Sequence, residues 1–392
     1  KYLKLLPGDY TGWGQIKTAV SGTEADPAII RHADTSEVSA YQLRMTGREA
    51  VIEGLKLEGV SNIIITGVTI RGKGDEKNGV IGGIKSSISN CKNVVIDFCN
   101  IENVTVSAIR MVNVTGCIVQ NCVFQQFDRA LNGDGGAVGV QASRGRTSAG
   151  NRFVNNEIIN FNDGMGMPRD GNPTGADSDL VGECLGNIFQ NNDIYIDSLL
   201  YNPDGTACAE NAMDFKNGTK SNNVNQIIGN RCWGNRPTRP ECGSSGSNGC
   251  FVSLHRNASG LAFQDNIFFD GSMAFNILQS DPKFPGESMT NLLIRNNLLS
   301  DFTYGTETVF NVANTVKIEY NTGNAALQGV YVANSKAILT GIQKNVFVGI
   351  KMTNFEIPEN NRFIDGKNYK PYEFWIKRWT GPEKVVITNV IK

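Results

Sequence analysis

Short apolar runs recur along the chain, each broken by one polar residue and then resumed. The series begins with IIITGVTI (63–70), VVIDFCNI (94–101), CIVQNCVF (117–124), RFVNNEII (152–159) and NIFQNNDI (187–194). It continues with QIIGNRCW (226–233), AFQDNIFF (262–269), LIRNNLL (293–299), KIEYNTG (317–323) and GIQKNVF (341–347). Apolar residues alternate within each run, which predicts very short β-strands rather than helices. The repeated position falls at Val68, Cys99, Cys122, Asn156, Asn192, Asn230, Asn266, Asn297, Asn321 and Asn345. Its shortest steps are 23 and 24 residues. Short strands at that period predict a solenoid. The fixed Leu framework of leucine-rich repeats is absent. The expected fold is therefore all-β: a single-domain right-handed parallel β-helix of about ten coils, spaced ~4.8 Å apart.

Asparagine is as frequent as glycine, yet none precedes Asn62. Stacked Asn side chains can bond to one another and to turn carbonyls, so an internal amide ladder is expected. Asn also tolerates the left-handed backbone of a tight bend. Cys99 and Cys122 fill the same position as small buried residues, and their stacking reads as packing rather than a bridge. Solenoid ends need caps. Residues 1–40 supply the N-terminal cap and first coil, and the aromatic, basic segment 367–392 the C-terminal cap. No Pro-, Gly- or Ser-rich linker divides residues 1–392.

The steps between Cys122 and Asn266 are longer, 34–38 residues. Their excess is expected to leave the helix as loops near 126–150, 160–182, 197–210 and 235–250, walling a groove suited to a linear polymer. Within this region AENAMDFKNG (209–218) alternates. Met213 and Phe215 should face the core, while Glu210, Asp214 and Lys216 share the outer face. The next coil brings His255 and Arg256, and the preceding one Asp177 and Asp179. Arg236 and Arg239 add to a local basic patch, with Trp233 and Gln279 as further sugar-binding candidates. Structural alternatives exist for each: a solvated Glu–Asp–Lys face, a packed histidine, loop arginines.

Charged residues make up 19% and the net charge is −1. No global field draws nucleic acid or a membrane, so a polyanion would have to meet the local patch. No apolar run is long enough to span a bilayer. Cys242 and Cys250 bracket ECGSSGSNGC, which suits a local disulfide in an oxidising compartment; buried free thiols are the alternative. Sequons occur at Asn103, Asn113, Asn217 and Asn257, a number that chance gives in an Asn-rich chain.

The opening LLPGDYTGWGQIKTAVSGTEADPAIIRHAD (5–34) resembles the first coil of family-six polysaccharide lyases, the alginate lyase and chondroitinase B group. ENAMDFK (210–216) is similar to the strand that carries their catalytic Lys. LHRNASGLAFQDNIFFDG (254–271) is similar to the coil that carries their catalytic Arg. The β-helix alginate lyases of family thirty-one are a second resemblance. Two departures stand out: Glu210 and Asp214 bracket the apolar residues instead of lying close together before the Lys, and Lys216 and Arg256 are 40 residues apart rather than about twenty.

The resemblance implies β-elimination on a uronate polymer, alginate first, by a secreted or periplasmic monomer. Lys216 would be the base and Arg256, with Arg236, the carboxylate clamp. His255 or Tyr201 would be the acid. Glu210 and Asp214 are the candidates for a Ca²⁺ site. A glycoside hydrolase using Asp177, Asp179, Glu210 and Asp214, a mannuronan epimerase and a non-catalytic glycan-binding β-helix are the rival readings.

Overall fold

The computed structural model describes residues 2–33, 39–72, 88–104, 107–127, 136–169, 179–198, 203, 209–236, 249–278, 289–302, 308–312, 316–319, 321–325, 328–332, 342–343, 345–348 and 362–364. Strands two to six residues long follow one another around a coil and pair in parallel with the coils on either side. The described strands build a first sheet of 12, running from Tyr2–Leu5 to Ile342–Gln343. They also build a second sheet of 13, from Gly8–Asp9 to Arg362–Ile364, and a third of 9, from Ile88–Ser89 to Gln328–Val332. The chain is a parallel β-helix. Two strand layers precede the ten aligned repeats: Tyr2–Leu5 and Ala28–His32. They escaped the repeat count because their coils contain no Asn. The segment 367–392 lies outside the described residues.

The amide ladder is present. Asn156 Nδ2 donates to Asn192 Oδ1 at 3.0 Å, Asn192 Nδ2 to Asn230 Oδ1 at 2.8 Å, and Asn230 Nδ2 to Asn266 Oδ1 at 3.0 Å. It continues through Asn297 and Asn321 to Asn345. Cys122 joins its end, its backbone N–H donating to Asn156 Oδ1 at 3.1 Å. The left-handed residue is one position earlier than expected, at Asn155, Asn191, Gly229, Asp265 and Asn296. The division is physical. The bend residue turns the backbone while its neighbour sends its amide inward, so the two demands fall on adjacent side chains. A second ladder, Asn151–Asn187–Asn225, runs five residues ahead of the first (2.8 and 2.9 Å).

Beneath the central coils the core is a column of rings: Phe153, Phe189, Phe215, Phe263, Phe275 and Phe310, with successive centroids 4.8–5.6 Å apart. Met213 and Phe215 are fully buried, as the alternation of their strand requires.

The long steps are only partly loops. Gly136–Gln141 and Asp163–Met167, inside the expected loops 126–150 and 160–182, are strands of the third sheet. Two glycines interrupt each of GAVGV and DGMGM, so apolar and polar residues do not alternate there and the strand signal is lost. Cys250 is a free, buried thiol, which corrects the expected pairing with Cys242, a residue outside the described set. It sits at the start of the buried strand Cys250–Leu254, where its Sγ donates to Asn211 Oδ1 at 2.8 Å. Burial pushes the thiol well above its usual range. All seven cysteines among the described residues are free and buried. A thiol reagent is therefore expected to label native protein at Cys208 and Cys242 at most, and seven further sites after guanidinium. Native labelling of Cys250 would show that its strand is not closed.

Candidate functional site

Four consecutive strands of the third sheet build the site: Ser107–Val112, Gly136–Gln141, Asp163–Met167 and Asn211–Phe215. One row of Cα partners crosses them as Arg110, Gly139, Gly166 and Asp214. A Cβ on Gly166 would stand 1.9 Å from the Asp214 carbonyl oxygen, and one on Gly139 3.2 Å from the Pro168 ring. No side chain fits at Gly166 against the Asp214 backbone, and at Gly139 the Pro168 ring stands where a side chain would begin. The glycines leave a cleft of about 380 Å³ above the sheet, bounded by Arg110 at one end and by Asp214, Lys216 and Arg256 at the other. Asp163 and Arg169 also line it. Among the described residues, four cationic side chains thus line the cleft with two carboxyls.

At the centre Lys216 Nζ lies 2.6 Å from Asp214 Oδ2, and His255 Nε2 lies 2.9 Å from Asp214 Oδ1. Burial pushes the Asp214 carboxyl upward, but the Lys216 ammonium and the His255 ring prevail and hold it below the usual carboxylate range. Burial acts against the Lys216 charge, yet Asp214 and then Asp163 hold the ammonium above its ordinary range. Asp163 is the opposite case. Burial, followed by repulsion from Asp214 and Glu210, raises it well above the carboxylate range. Its Oδ1 accepts from Asn211 Nδ2 at 3.3 Å. One cleft therefore holds two carboxyls that their surroundings push in opposite directions, the separation that acid–base catalysis uses.

Arg256 stands in the turn after Cys250–Leu254 with φ of 56°, in the left-handed region. For an arginine this costs roughly 1–3 kcal/mol, which persists only where surroundings enforce it. Here Arg256 NH1 donates to the Arg169 carbonyl at 2.7 Å, and the next residue's N–H to the Lys216 carbonyl at 3.3 Å. The turn is locked onto the two coils that carry the other cations.

The structure thus gathers Lys216, Asp214, His255 and Arg256, and it seats Glu210 near Asp163. Other candidates lie elsewhere. Arg236 forms a two-pronged pair with Asp270 (Nε–Oδ1 2.6 Å). Asp179 pairs with Arg144 at 3.5 Å. Trp233 is sandwiched between Tyr195 and Phe269 on the second sheet, with ring planes within 10° and centroids 4.2 and 5.7 Å away. Both ring faces are occupied by these neighbours, so neither is open to a sugar. Asp177, Tyr201, Arg239 and Gln279 lie outside the described residues.

The Ca²⁺ expectation does not fit this chemistry. Ca²⁺ takes six to eight oxygens, whereas both Asp214 oxygens are engaged by the side chains of Lys216 and His255. Among the described residues no group of three or more His, Cys, Asp or Glu is arranged to hold a metal ion. Sequence reasoning missed Asp163, Arg110 and Arg169. The only signal for Asp163 was its place before alternating glycines, in DGMGM.

No family model matches the chain. No curated protein matches it in sequence either. Its fold is similar to that of PfbA, a surface adhesin of Streptococcus pneumoniae, at 12% identity over 93% of this chain and 83% of that one (TM-score 0.53). It is similar to a mannuronic acid specific polysaccharide family 6 lyase from human gut microbiota, at 12% identity over 96% and 87% (TM-score 0.51). A third likeness is the catalytic domain of a GH87 α-1,3-glucanase, at 12% identity over 91% of this chain and 56% of that one (TM-score 0.50). At these identities the likeness is one of fold.

Proposed function

We propose that the protein is a secreted polysaccharide lyase that cleaves a uronate-containing polymer, alginate in the first instance, by β-elimination in this cleft. The observation that carries the reading is that, among the described residues, Arg110, Arg169, Lys216 and Arg256 line the cleft beside two carboxyls, on a protein of net charge −1. Such a cleft matches an anionic sugar, and a fold neighbour acts on mannuronic acid polymers.

Elimination needs three things: a neutralised sugar carboxylate, a base for the adjacent carbon-bound proton, and an acid for the leaving oxygen. Arg256, locked by its turn, neutralises the carboxylate. Lys216 in its uncharged form takes the proton. His255 is engaged through Nε2 with Asp214, so it orients that carboxylate. The acid is Asp163, whose carboxyl burial and its acidic neighbours raise in the same cleft. The second reading is hydrolysis with Asp163 as acid and Asp214 as base; the opposite drift of these two carboxyls favours it.

The pH dependence separates the two. Elimination requires protonated Asp163 and uncharged Lys216, both raised, so its rate should be greatest between their two pKa values, at neutral to alkaline pH. Hydrolysis requires protonated Asp163 and ionised Asp214, which is lowered, so its optimum should be acidic. The measurement is ultraviolet absorbance of the unsaturated product, beside reducing ends, across pH on a panel of uronate polymers. Reducing ends without absorbance, with an acidic optimum, would replace elimination by hydrolysis.

A further inference from the structure

A line of side chains runs through the starts of three successive strands of the third sheet and ends in the cleft. Asp163 opens Asp163–Met167, its Cα partner Asn211 opens Asn211–Phe215, and Cys250 opens Cys250–Leu254. Cys250 Sγ donates to Asn211 Oδ1 at 2.8 Å, and Asn211 Nδ2 donates to Asp163 Oδ1 at 3.3 Å. Asn211 and Cys250 are buried, whereas Asp163 lines the cleft. Both buried residues are also held by their backbones. The Asn211 N–H donates to the Asn162 carbonyl at 2.9 Å, and the Cys250 carbonyl accepts from Asn235 Nδ2 at 3.2 Å. An amide turned end for end fills the same space, with its oxygen and NH₂ exchanged. The direction of this one is set by the thiol. Burial raises the Cys250 thiol, so at neutral pH its sulfur carries a proton. That proton needs an acceptor, and Asn211 Oδ1 supplies it, which turns Nδ2 toward Asp163.

We infer that Asn211 is a positioning residue: anchored by Cys250, it holds Asp163 with Oδ1 engaged and leaves Oδ2 as the oxygen that gives up the proton. It acts through Asp163 and touches no substrate. The inference rests on the proposed reading of Asp163 as the acid, a role shared by elimination and hydrolysis. When the linkage breaks, the proton passes from Oδ2 to the leaving oxygen and Asp163 becomes a carboxylate. The Asn211 N–H then meets a charged acceptor, and its bond strengthens as the charge develops. A gain made only after binding belongs in kcat rather than in KM. The charged groups that act on Asp163 are Asp214 and Glu210, which raise it, and Lys216, which lowers it. The strand on its other side offers Gly136 as Cα partner and brings no charge at that position.

The test uses the uronate polymer that gives turnover, alginate first. Asn211→Leu removes both bonds at nearly constant volume. It should lower kcat about 10²-fold, the scale of a misplaced catalytic group, with KM within about twofold of wild type. Cys250→Ala and Cys250→Ser leave nearly the same space, and only Ser keeps a donor. Ala should lower kcat about tenfold, the value of one hydrogen bond, and Ser should restore most of that loss. The pair also keeps the test open where Asn211→Leu does not fold. Equal kcat in the Ala and Ser variants, or a loss in Asn211→Leu that falls in KM, would overturn the inference. A second readout needs no turnover. Infrared difference spectra against Asp163→Asn isolate the carboxylic C=O stretch of Asp163, which a hydrogen bond to Oδ1 lowers. The band should move to higher frequency in Asn211→Leu and Cys250→Ala and stay near its wild-type place in Cys250→Ser. A band that does not move, or no carboxylic band at all, would overturn the inference whatever the reaction. If the shifts appear and no polymer is turned over, the proposed function fails while the positioning stands.

Discussion

Lys216→Ala is expected to lower kcat/KM on the polymer substrate by about 10³-fold, the scale of a lost general base. Lys216 is the group the elimination reading can least do without. The substitution also leaves Asp214, 5% exposed, with only His255 beside it, so Lys216→Met is the companion variant that restores the side-chain volume. A circular-dichroism melt guards against simple unfolding. Activity within threefold of wild type in either folded variant would remove Lys216 from the chemistry. Asp214→Asn then separates the two reaction classes. Asp214 raises both Lys216 and Asp163. Removing its charge lowers both, so under elimination both edges of the pH–rate profile move to lower pH. Under hydrolysis Asp214 is the base, and the same variant is inactive at every pH.

The largest stability effect is expected in the amide ladder. Asn230 Oδ1 accepts from Asn192 N at 3.0 Å and Asn192 Nδ2 at 2.8 Å, while Asn230 Nδ2 donates to Phe189 O at 2.9 Å and Asn266 Oδ1 at 3.0 Å. All of these groups are buried. Asn230→Ala breaks four bonds and leaves the Asn192 N–H without its acceptor in a dry interior. At about 1–3 kcal/mol for each group left wanting, partly shared with remaining partners, the loss should total about 3–5 kcal/mol. Asn230→Leu fills the space without restoring a bond and should recover little. The midpoint of urea unfolding is the readout. If both variants unfold within 1 kcal/mol of wild type, on this order-of-magnitude scale, the ladder is an ornament of the fold rather than a support.

The ladder is also where the sequence was most legible. A buried amide that must meet an identical amide one coil away leaves a single-residue signature at a nearly fixed interval. That signature located seven of the ladder positions, from Asn156 to Asn345. The companion ladder at Asn151, Asn187 and Asn225 carried the same signal five residues earlier but was hidden among the many other asparagines. Lys216, Asp214, His255 and Arg256 could be gathered because a period-2 strand fixes which residues share a face, and neighbouring coils bring such faces together.

What the pattern could not give was register across coils of unequal length. Arg236 meets Asp270, Asp179 meets Arg144, and Trp233 meets Tyr195 and Phe269. Each pairing depends on which residue an adjacent coil places alongside, and inserts of different size conceal that offset. Asp163 and Arg169 were missed for a related reason: the strand of the one and the turn of the other are built on glycine and proline, which carry no polarity pattern to read, while Arg110 lies in the strand SAIRMV, before the stretch of long steps that drew attention.

The stacking of coils has a mechanical consequence. Backbone ladder bonds and amide ladder bonds both run from one coil to the next, along the long axis, so each interface between coils is a separate link in a chain. Tension applied between the two ends loads these links in series, and the weakest one gives first. Under a pulling force the molecule should lengthen in small successive steps of one coil each, peeling from an end, rather than in one abrupt shear. The segment from Asn156 to Asn345, where amide bonds reinforce the backbone, should be the last to peel.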